Sequence, residues 1–122
     1  MLSASPFIIV DSVRDALDYY QPIFGGEVKL LNENKGTIYH AELHLGESLI
    51  HFASSYGRIP KGEHVRIIMQ FDNEEEITRV FDLLAKEGTV VVPLEDTFFG
   101  ALHGEVVDAH QGICWVLNHF RS

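Results

Sequence analysis

The chain has 122 residues, of which 46% are hydrophobic and 22% charged, and its formal net charge is −9. This length supports one cooperative core and is too short for two independent domains of usual size. The acidic balance, with no local cluster of Lys and Arg, argues against nucleic acid and anionic membrane surfaces as partners. We therefore expect the partner to be a small molecule or another protein.

The N-terminal region shows no sign of a targeting or membrane-spanning segment. Its longest apolar run is Phe7–Val10, and no basic region precedes it. We therefore expect no membrane partner and a cytoplasmic location. Cys114 is the only cysteine, which excludes an intramolecular disulfide, and we expect it to be a buried, unreactive thiol.

The first half of the chain reads as a strand, a helix and three further strands. A strand is predicted at Phe7–Val10, and Ser12 with Asp15 three positions later resembles the capping box of a following helix. Gly25 ends that helix, and extended runs follow, one of which contains His40-Ala41-Glu42-Leu43. The helix buries one stripe, because its apolar residues follow the i, i+3, i+4, i+7 spacing: Val13, Ala16, Leu17 and Tyr20.

The second half repeats this order of elements. A strand is predicted at Val65 to Phe71, and a helix begins after Asn73, again with an acid three positions later, Glu76. The helix is followed by Gly88 and then by His103-Gly104-Glu105-Val106, each 63 positions after its counterpart in the first half. The second helix has the same apolar spacing: Ile77, Val80, Phe81 and Leu84.

The repeat predicts an α+β fold. We expect one domain spanning residues 1–122, built from two tandem βαβββ modules at about residues 4–57 and 62–120 and joined by a polar loop from Ser54 to Glu63. One such module has a four-stranded sheet with a helix on one face and nothing on the other. Two modules can therefore set curved mixed sheets around a shared cleft.

Over nearly the whole chain, this pattern resembles the vicinal oxygen chelate superfamily, which includes glyoxalases, bleomycin-resistance proteins and dioxygenases. The closer match is to its PhnB-like branch. Each motif is short, and the resemblance depends on their order and spacing. The motifs that carry the resemblance are residues 16–26, residues 40–48, Pro93-Leu94-Glu95-Asp96, Phe98-Phe99-Gly100, Gly104, Val107-Asp108, Gly112 and Trp115.

The resemblance also implies where a metal would bind. Metal-dependent members take ligands from equivalent strands of both modules, typically His on the first strand and Glu on the last. The corresponding positions here are Ser5, Arg66 and Val116, with either Ile50 or His51 as the fourth. Val cannot coordinate a metal, Arg is a cation, and Ser is a poor neutral ligand. We therefore expect the inherited metal centre to be lost and no metal cofactor to be present.

A relocated metal site is the alternative. Strand alternation places His40, Glu42 and His44 on one face, but alternate residues lie about 7 Å apart along a strand, which favours a plain polar row. If such a site exists, the protein is a metal-dependent lyase or dioxygenase. Its ligands would be some of His40, Glu42, His44, His51 and His103.

The leading functional hypothesis is a metal-free protein that binds a small ligand in an apolar, aromatic cleft. The candidate lining is Phe7, Arg66, Ile68, Phe98, Phe99 and Trp115. Arg66 would suit a carboxylate or phosphonate, although a surface ion pair is an equally simple role for it, and the aromatic residues could be ordinary core. A third hypothesis is a protein that chiefly associates with others and has a vestigial cleft. By resemblance, we expect a homodimer.

Overall fold

The computed structural model describes residues 2–57 and 65–121 of the chain. Its contacts divide the chain into two compact units, Met1–Lys61 and Gly62–Ser122. These units lie close to the two repeats expected from the sequence. The predicted Ser54-to-Glu63 loop falls partly outside the described residues, as does His64.

The first unit contains one helix and a four-stranded sheet. Its elements are β1 (Phe7–Val10), α1 (Val13–Phe24), β2 (Glu27–Asn34), β3 (Thr37–Leu45) and β4 (Ser48–Ser54). The strand order is β1-β4-β3-β2, in which β1 runs parallel to β4 and the other neighbours are antiparallel.

The second unit has the same architecture. Its elements are β5 (Ile67–Gln70), α2 (Glu74–Glu87), β6 (Thr89–Asp96), β7 (Ala101–Val107) and β8 (Cys114–Phe120). The order β5-β8-β7-β6 again pairs the first and last strands in parallel. Strand β5 is shorter than the predicted Val65-to-Phe71 run. The predicted α+β fold of two tandem βαβββ modules is confirmed.

Both helices begin where the sequence predicts. The side chain of Ser12 accepts a hydrogen bond from the backbone N–H of Asp15 at 3.2 Å, and that of Asn73 accepts one from Glu76 at 2.8 Å. All eight residues of the two predicted apolar stripes are buried, so each helix packs its stripe against its own sheet. Neither helix of the described ranges is long and apolar enough to cross a membrane.

Each helix covers one face of its sheet. In the first unit, Leu43 of β3 and Phe52 of β4 are buried on the α1 side. In the second unit the approach of α2 is close, because a Cβ atom at Gly104 of β7 would lie 2.8 Å from the ring of Phe81. We call the opposite face of each sheet its open face. Alternation along the strands then decides which side chains each open face carries.

Replacing Asn73 with Ala should lower the free energy of unfolding by about 1 kcal/mol, because the first turn of α2 loses the acceptor of the Glu76 N–H. Three acidic residues in that turn compensate only partly through the helix dipole. Chemical denaturation measures the change. Asn73→Ser keeps a capping oxygen and should retain most of the stability. An unchanged midpoint for the Ala variant would contradict this role for the cap.

Candidate functional site

The open face of the first sheet carries the polar side chains of β3. His40, Glu42 and His44 are half-buried and alternate with Ala41 and Leu43, which are fully buried on the helix side. The apolar residues fix the orientation of this strand, because burying them against α1 turns the three polar side chains to the other face.

Four of the five alternative metal ligands meet on this face, because His51 of β4 lies directly opposite Glu42. Nε2 of His40 is 2.9 Å from Nδ1 of His51. A neutral imidazole carries one N–H, so one ring donates to the other. His44 donates from Nε2 to Glu42 Oε1 at 2.9 Å, and Nδ1 of His51 lies 3.8 Å from Glu42 Oε2. The four side chains therefore form one connected polar cluster.

Glu42 is the anionic centre of this cluster. The hydrogen bond from His44 holds the pKa of the Glu42 carboxyl below its ordinary value, although partial desolvation acts in the opposite direction. The charges of His44, His51 and Lys29 also lower this pKa. Glu42 is therefore a carboxylate at neutral pH and can accept hydrogen bonds or bind a cation.

The open face of the second sheet carries a different network around Glu105. Arg66 donates from Nη1 to Glu105 Oε1 at 3.0 Å, and His103 donates from Nε2 to Oε2 at 3.2 Å. Nδ1 of His103 lies 2.6 Å from Oδ1 of Asn118, which is buried. The His103 ring therefore bridges Glu105 and Asn118. Glu105 is thus held between Arg66 and His103.

Cys114 lies at the edge of this network and is half-buried. Burial raises the pKa of its thiol, and the neighbouring Glu105 carboxylate adds to this effect while Arg66 opposes it. The thiol is therefore protonated at neutral pH, and its surroundings do not activate it as a nucleophile.

The apolar members of the predicted lining are largely exposed. Phe7 is 57% exposed on the first open face, where its ring lies 5.4 Å from that of His40 and 5.6 Å from that of His51. In the second unit, Ile68 is 56% exposed and Phe99 46% exposed. The Phe99 ring contacts that of His103 edge-on, with ring centroids 5.8 Å apart. Phe98 follows β6 in the turn to β7 and is fully exposed.

Trp115, the last residue of the predicted lining, does not lie on the open face of the second sheet. It pairs with Val106 on the helix-covered side of the second sheet and is fully buried. Its indole N–H donates to Oδ2 of Asp108 at 2.7 Å. A ligand on the open face would therefore be separated from Trp115 by the sheet. The pattern of apolar and polar residues around Asp108 does not by itself indicate that this carboxylate is the buried partner of the indole.

The register shows which side chains are equivalent in the two units. In the first unit, His51 pairs with Glu42 on one side and with Phe7 on the other. In the second unit, Val116 pairs in the same way with Glu105 and with Ile68. His51 is therefore the counterpart of Val116, whereas Ile50 is buried on the helix side.

The inherited metal positions do not fit a metal. Ser5 lies two positions before β1 and Arg66 lies one position before β5. Arg66 is paired with Glu105, and Val116 has no donor atom in its side chain. Only His51 has a usual ligand side chain. Within residues 2–57 and 65–121, no three His, Cys, Asp or Glu side chains form a ready-made metal site.

A protein-family model matches residues 4–116 of the chain, and its description is Glyoxalase/Bleomycin resistance protein/Dioxygenase superfamily. No curated protein matches the chain significantly. The match to the family model therefore provides the assignment, and solved structures provide independent support for the fold.

Several solved structures share the fold over all or nearly all of the chain. Protein PA1353 from Pseudomonas aeruginosa is 26% identical, with a TM-score of 0.84 and full coverage of both chains. The PhnB protein from Bacillus cereus is 23% identical with a TM-score of 0.75, covering 96% of this chain and 98% of its own. A bleomycin resistance determinant encoded on the transposon Tn5 is 13% identical with a TM-score of 0.66, again with full coverage of both chains.

Proposed function

The chain belongs to the glyoxalase/bleomycin resistance protein/dioxygenase superfamily, and from this premise we propose that it is a PhnB-like protein that binds a small molecule without a metal at the inherited positions. We further propose that residues 1–122 form one domain and that the protein is a cytoplasmic homodimer. The short motifs named above support the PhnB-like assignment.

The observation that carries this proposal is the exposure of large apolar side chains beside charged groups on the open faces. Phe7, Ile68 and Phe99 are each 46–57% exposed, although the helix-covered faces hide residues of the same type almost completely. Exposed apolar area next to a few oriented polar groups is typical of a ligand site. An apolar or aromatic ligand bound on an open face would cover exposed apolar area of this kind.

Arg66 is the proposed anchor for an acidic group on that ligand. Its ion pair with Glu105 uses one guanidinium nitrogen, and 55% of its side chain is exposed. A guanidinium has five N–H donors, so it can hold Glu105 and still present donors to a carboxylate or phosphonate. The pair also fixes the orientation of the guanidinium before a ligand arrives.

The test is a thermal-shift screen with aromatic carboxylates and phosphonates, together with mass spectrometry of the natively purified protein for a co-purified molecule. A ligand at a hundredfold excess over its dissociation constant should stabilise the fold by about 2.7 kcal/mol. Arg66→Gln and Phe99→Ala should each weaken binding at least tenfold. Leu83→Ala, on the exposed surface of α2, should leave binding unchanged.

Two results would contradict this proposal. The first is the absence of any shift across the panel together with no co-purified molecule. The second is a shift that Arg66→Gln, Phe99→Ala and the α2 control all leave unchanged, because the ligand would then bind elsewhere.

A further inference from the structure

Glu42, on the open face of the first unit, is an ionised carboxylate with one unused oxygen. Its Oε1 accepts the hydrogen bond from His44, whereas Oε2 lies 3.8 Å from Nδ1 of His51, too far for a hydrogen bond. Lys29 faces Glu42 across the strand pair, but no Lys or Arg in the described part of the chain forms an ion pair with this carboxylate. Only 14% of the Glu42 side chain is exposed. A further donor would therefore stabilise an anionic oxygen that water reaches poorly.

The second unit shows which group binds the carboxylate at the same point of the repeat. Glu105 is the counterpart of Glu42, because the two residues occupy equivalent places in the strand pairing. The guanidinium of Arg66 donates to one oxygen of Glu105 at 3.0 Å, and His103 donates to the other. In the second unit, both carboxylate oxygens are thus used, and one of them is bound by an organic cation of the chain itself.

The first unit has no arginine at the corresponding point. Phe7 and Ile68 occupy equivalent places in the parallel strand pairs. Ser5 lies two positions before Phe7, and Arg66 lies two positions before Ile68. The side chain of Ser5 is uncharged and much shorter than that of Arg66. The cation that the second unit supplies from its own chain therefore has to come to Glu42 from outside.

An exposed aromatic ring lies beside this carboxylate. Phe7 and Glu42 pair with His51 from opposite sides on the same sheet. The Phe7 ring is 57% exposed and stacks on that of His51, with ring centroids 5.6 Å apart. A cation with an apolar body can reach Glu42 while its body covers the rings of His51 and Phe7. The face of an aromatic ring also attracts a cation directly.

We propose that the open face of the first unit binds a small organic cation, a guanidinium or primary ammonium group on an apolar or aromatic body, with Glu42 as anchor and Phe7 as apolar contact. The bound cation has on Glu42 the role that Arg66 has on Glu105. The net charge of −9 favours the approach of a cation. This site differs in charge and in unit from the acid anchor at Arg66, so either proposal can fail without the other.

The test is a calorimetric titration of the full chain with benzylguanidine and with benzylamine, and with benzyl alcohol as their neutral analogue. We expect one equivalent of either cation per chain, and benzyl alcohol should bind at least about tenfold more weakly. Glu42→Gln keeps the size of the side chain and removes its charge, so it should lower the affinity for both cations at least about tenfold. Glu47→Gln removes a charge from the exposed turn between β3 and β4, and it should change the affinity less than about twofold.

Ser5→Arg tests the internal comparison, because it brings the residue of the second unit to the first. The new guanidinium should bind Glu42 and lower the affinity for benzylguanidine at least about tenfold, whereas Ser5→Gln should bind like the parent. Ser5 is exposed, so both variants should fold. In the parent, benzylguanidine should shift the ring signals of Phe7 and His51 in nuclear magnetic resonance spectra. Absence of saturable binding, equal binding of benzyl alcohol, equal losses for Glu42→Gln and Glu47→Gln, or parent-like affinity of Ser5→Arg would overturn the proposal.

Discussion

Asp108→Ala should lower the free energy of unfolding by about 3 kcal/mol or more, because one buried carboxylate satisfies four donors. Oδ1 accepts the backbone N–H groups of His110, Gln111 and Gly112 at 2.7–3.2 Å, and Oδ2 accepts the Trp115 indole N–H. Asp108 is only 3% exposed. Removing the carboxylate therefore leaves donors in a place that water reaches poorly.

Denaturation followed by tryptophan fluorescence measures this loss, since Trp115 is the only tryptophan of the chain. Asp108→Asn keeps one acceptor oxygen, but its amide N–H group then faces the N–H donors that the other carboxylate oxygen had accepted. It should therefore fall between the parent and the Ala variant. Asp82→Ala, on the exposed surface of α2, should change stability by less than about 0.5 kcal/mol. A parent-like midpoint for Asp108→Ala would show that the turn does not depend on this carboxylate.

The contrast between Ser12 and Trp115 shows what the sequence can reveal. Helix caps and apolar stripes depend on neighbours within four positions, and those patterns are visible in the chain itself. The same holds for the His-x-Glu pattern, because Ala41 and Leu43 are apolar and determine which face of β3 is buried. These features were predicted correctly.

Strand β8 gives no such signal. Trp115 and Leu117 alternate with Cys114 and Val116, so both faces of the strand look apolar in the sequence. Which face packs against α2 depends on pairing with β7, a contact between residues that are distant in the chain. The sequence alone therefore could not show that Trp115 lies on the helix-covered side of the sheet, whereas Val116 lies on its open face.

Asp108 illustrates a second limit. Most of its partners are backbone N–H groups of the following turn, and the sequence does not reveal where these groups point. The signal that could have identified it is an acid four positions before a glycine, with a tryptophan near the start of the next strand. This turn sets the start of β8 and hence the position of Val116 opposite Glu105.

Gly26→Ala should lower the free energy of unfolding by about 3 kcal/mol, because two costs act at one position. The backbone of Gly26 has φ of +84°, which an L-residue adopts only with strain. A Cβ atom there would also collide with the backbone oxygen of His44 and lie 2.8 Å from Cδ2 of Leu45. The Leu45 side chain can move, but the carbonyl of His44 belongs to a strand paired on both sides.

Gly36→Ala separates the two costs, since Gly36 has nearly the same φ, +82°, and a Cβ atom there would have no neighbour within 4 Å. This control should lose only about 1–2 kcal/mol, the cost of the backbone strain. Thermal or chemical denaturation of both variants gives the difference. Equal losses would show that β3 yields to the new methyl group. A larger loss for Gly26→Ala would show that β3 does not yield. The segment that follows α1 is then packed tightly against the strand that carries His40, Glu42 and His44.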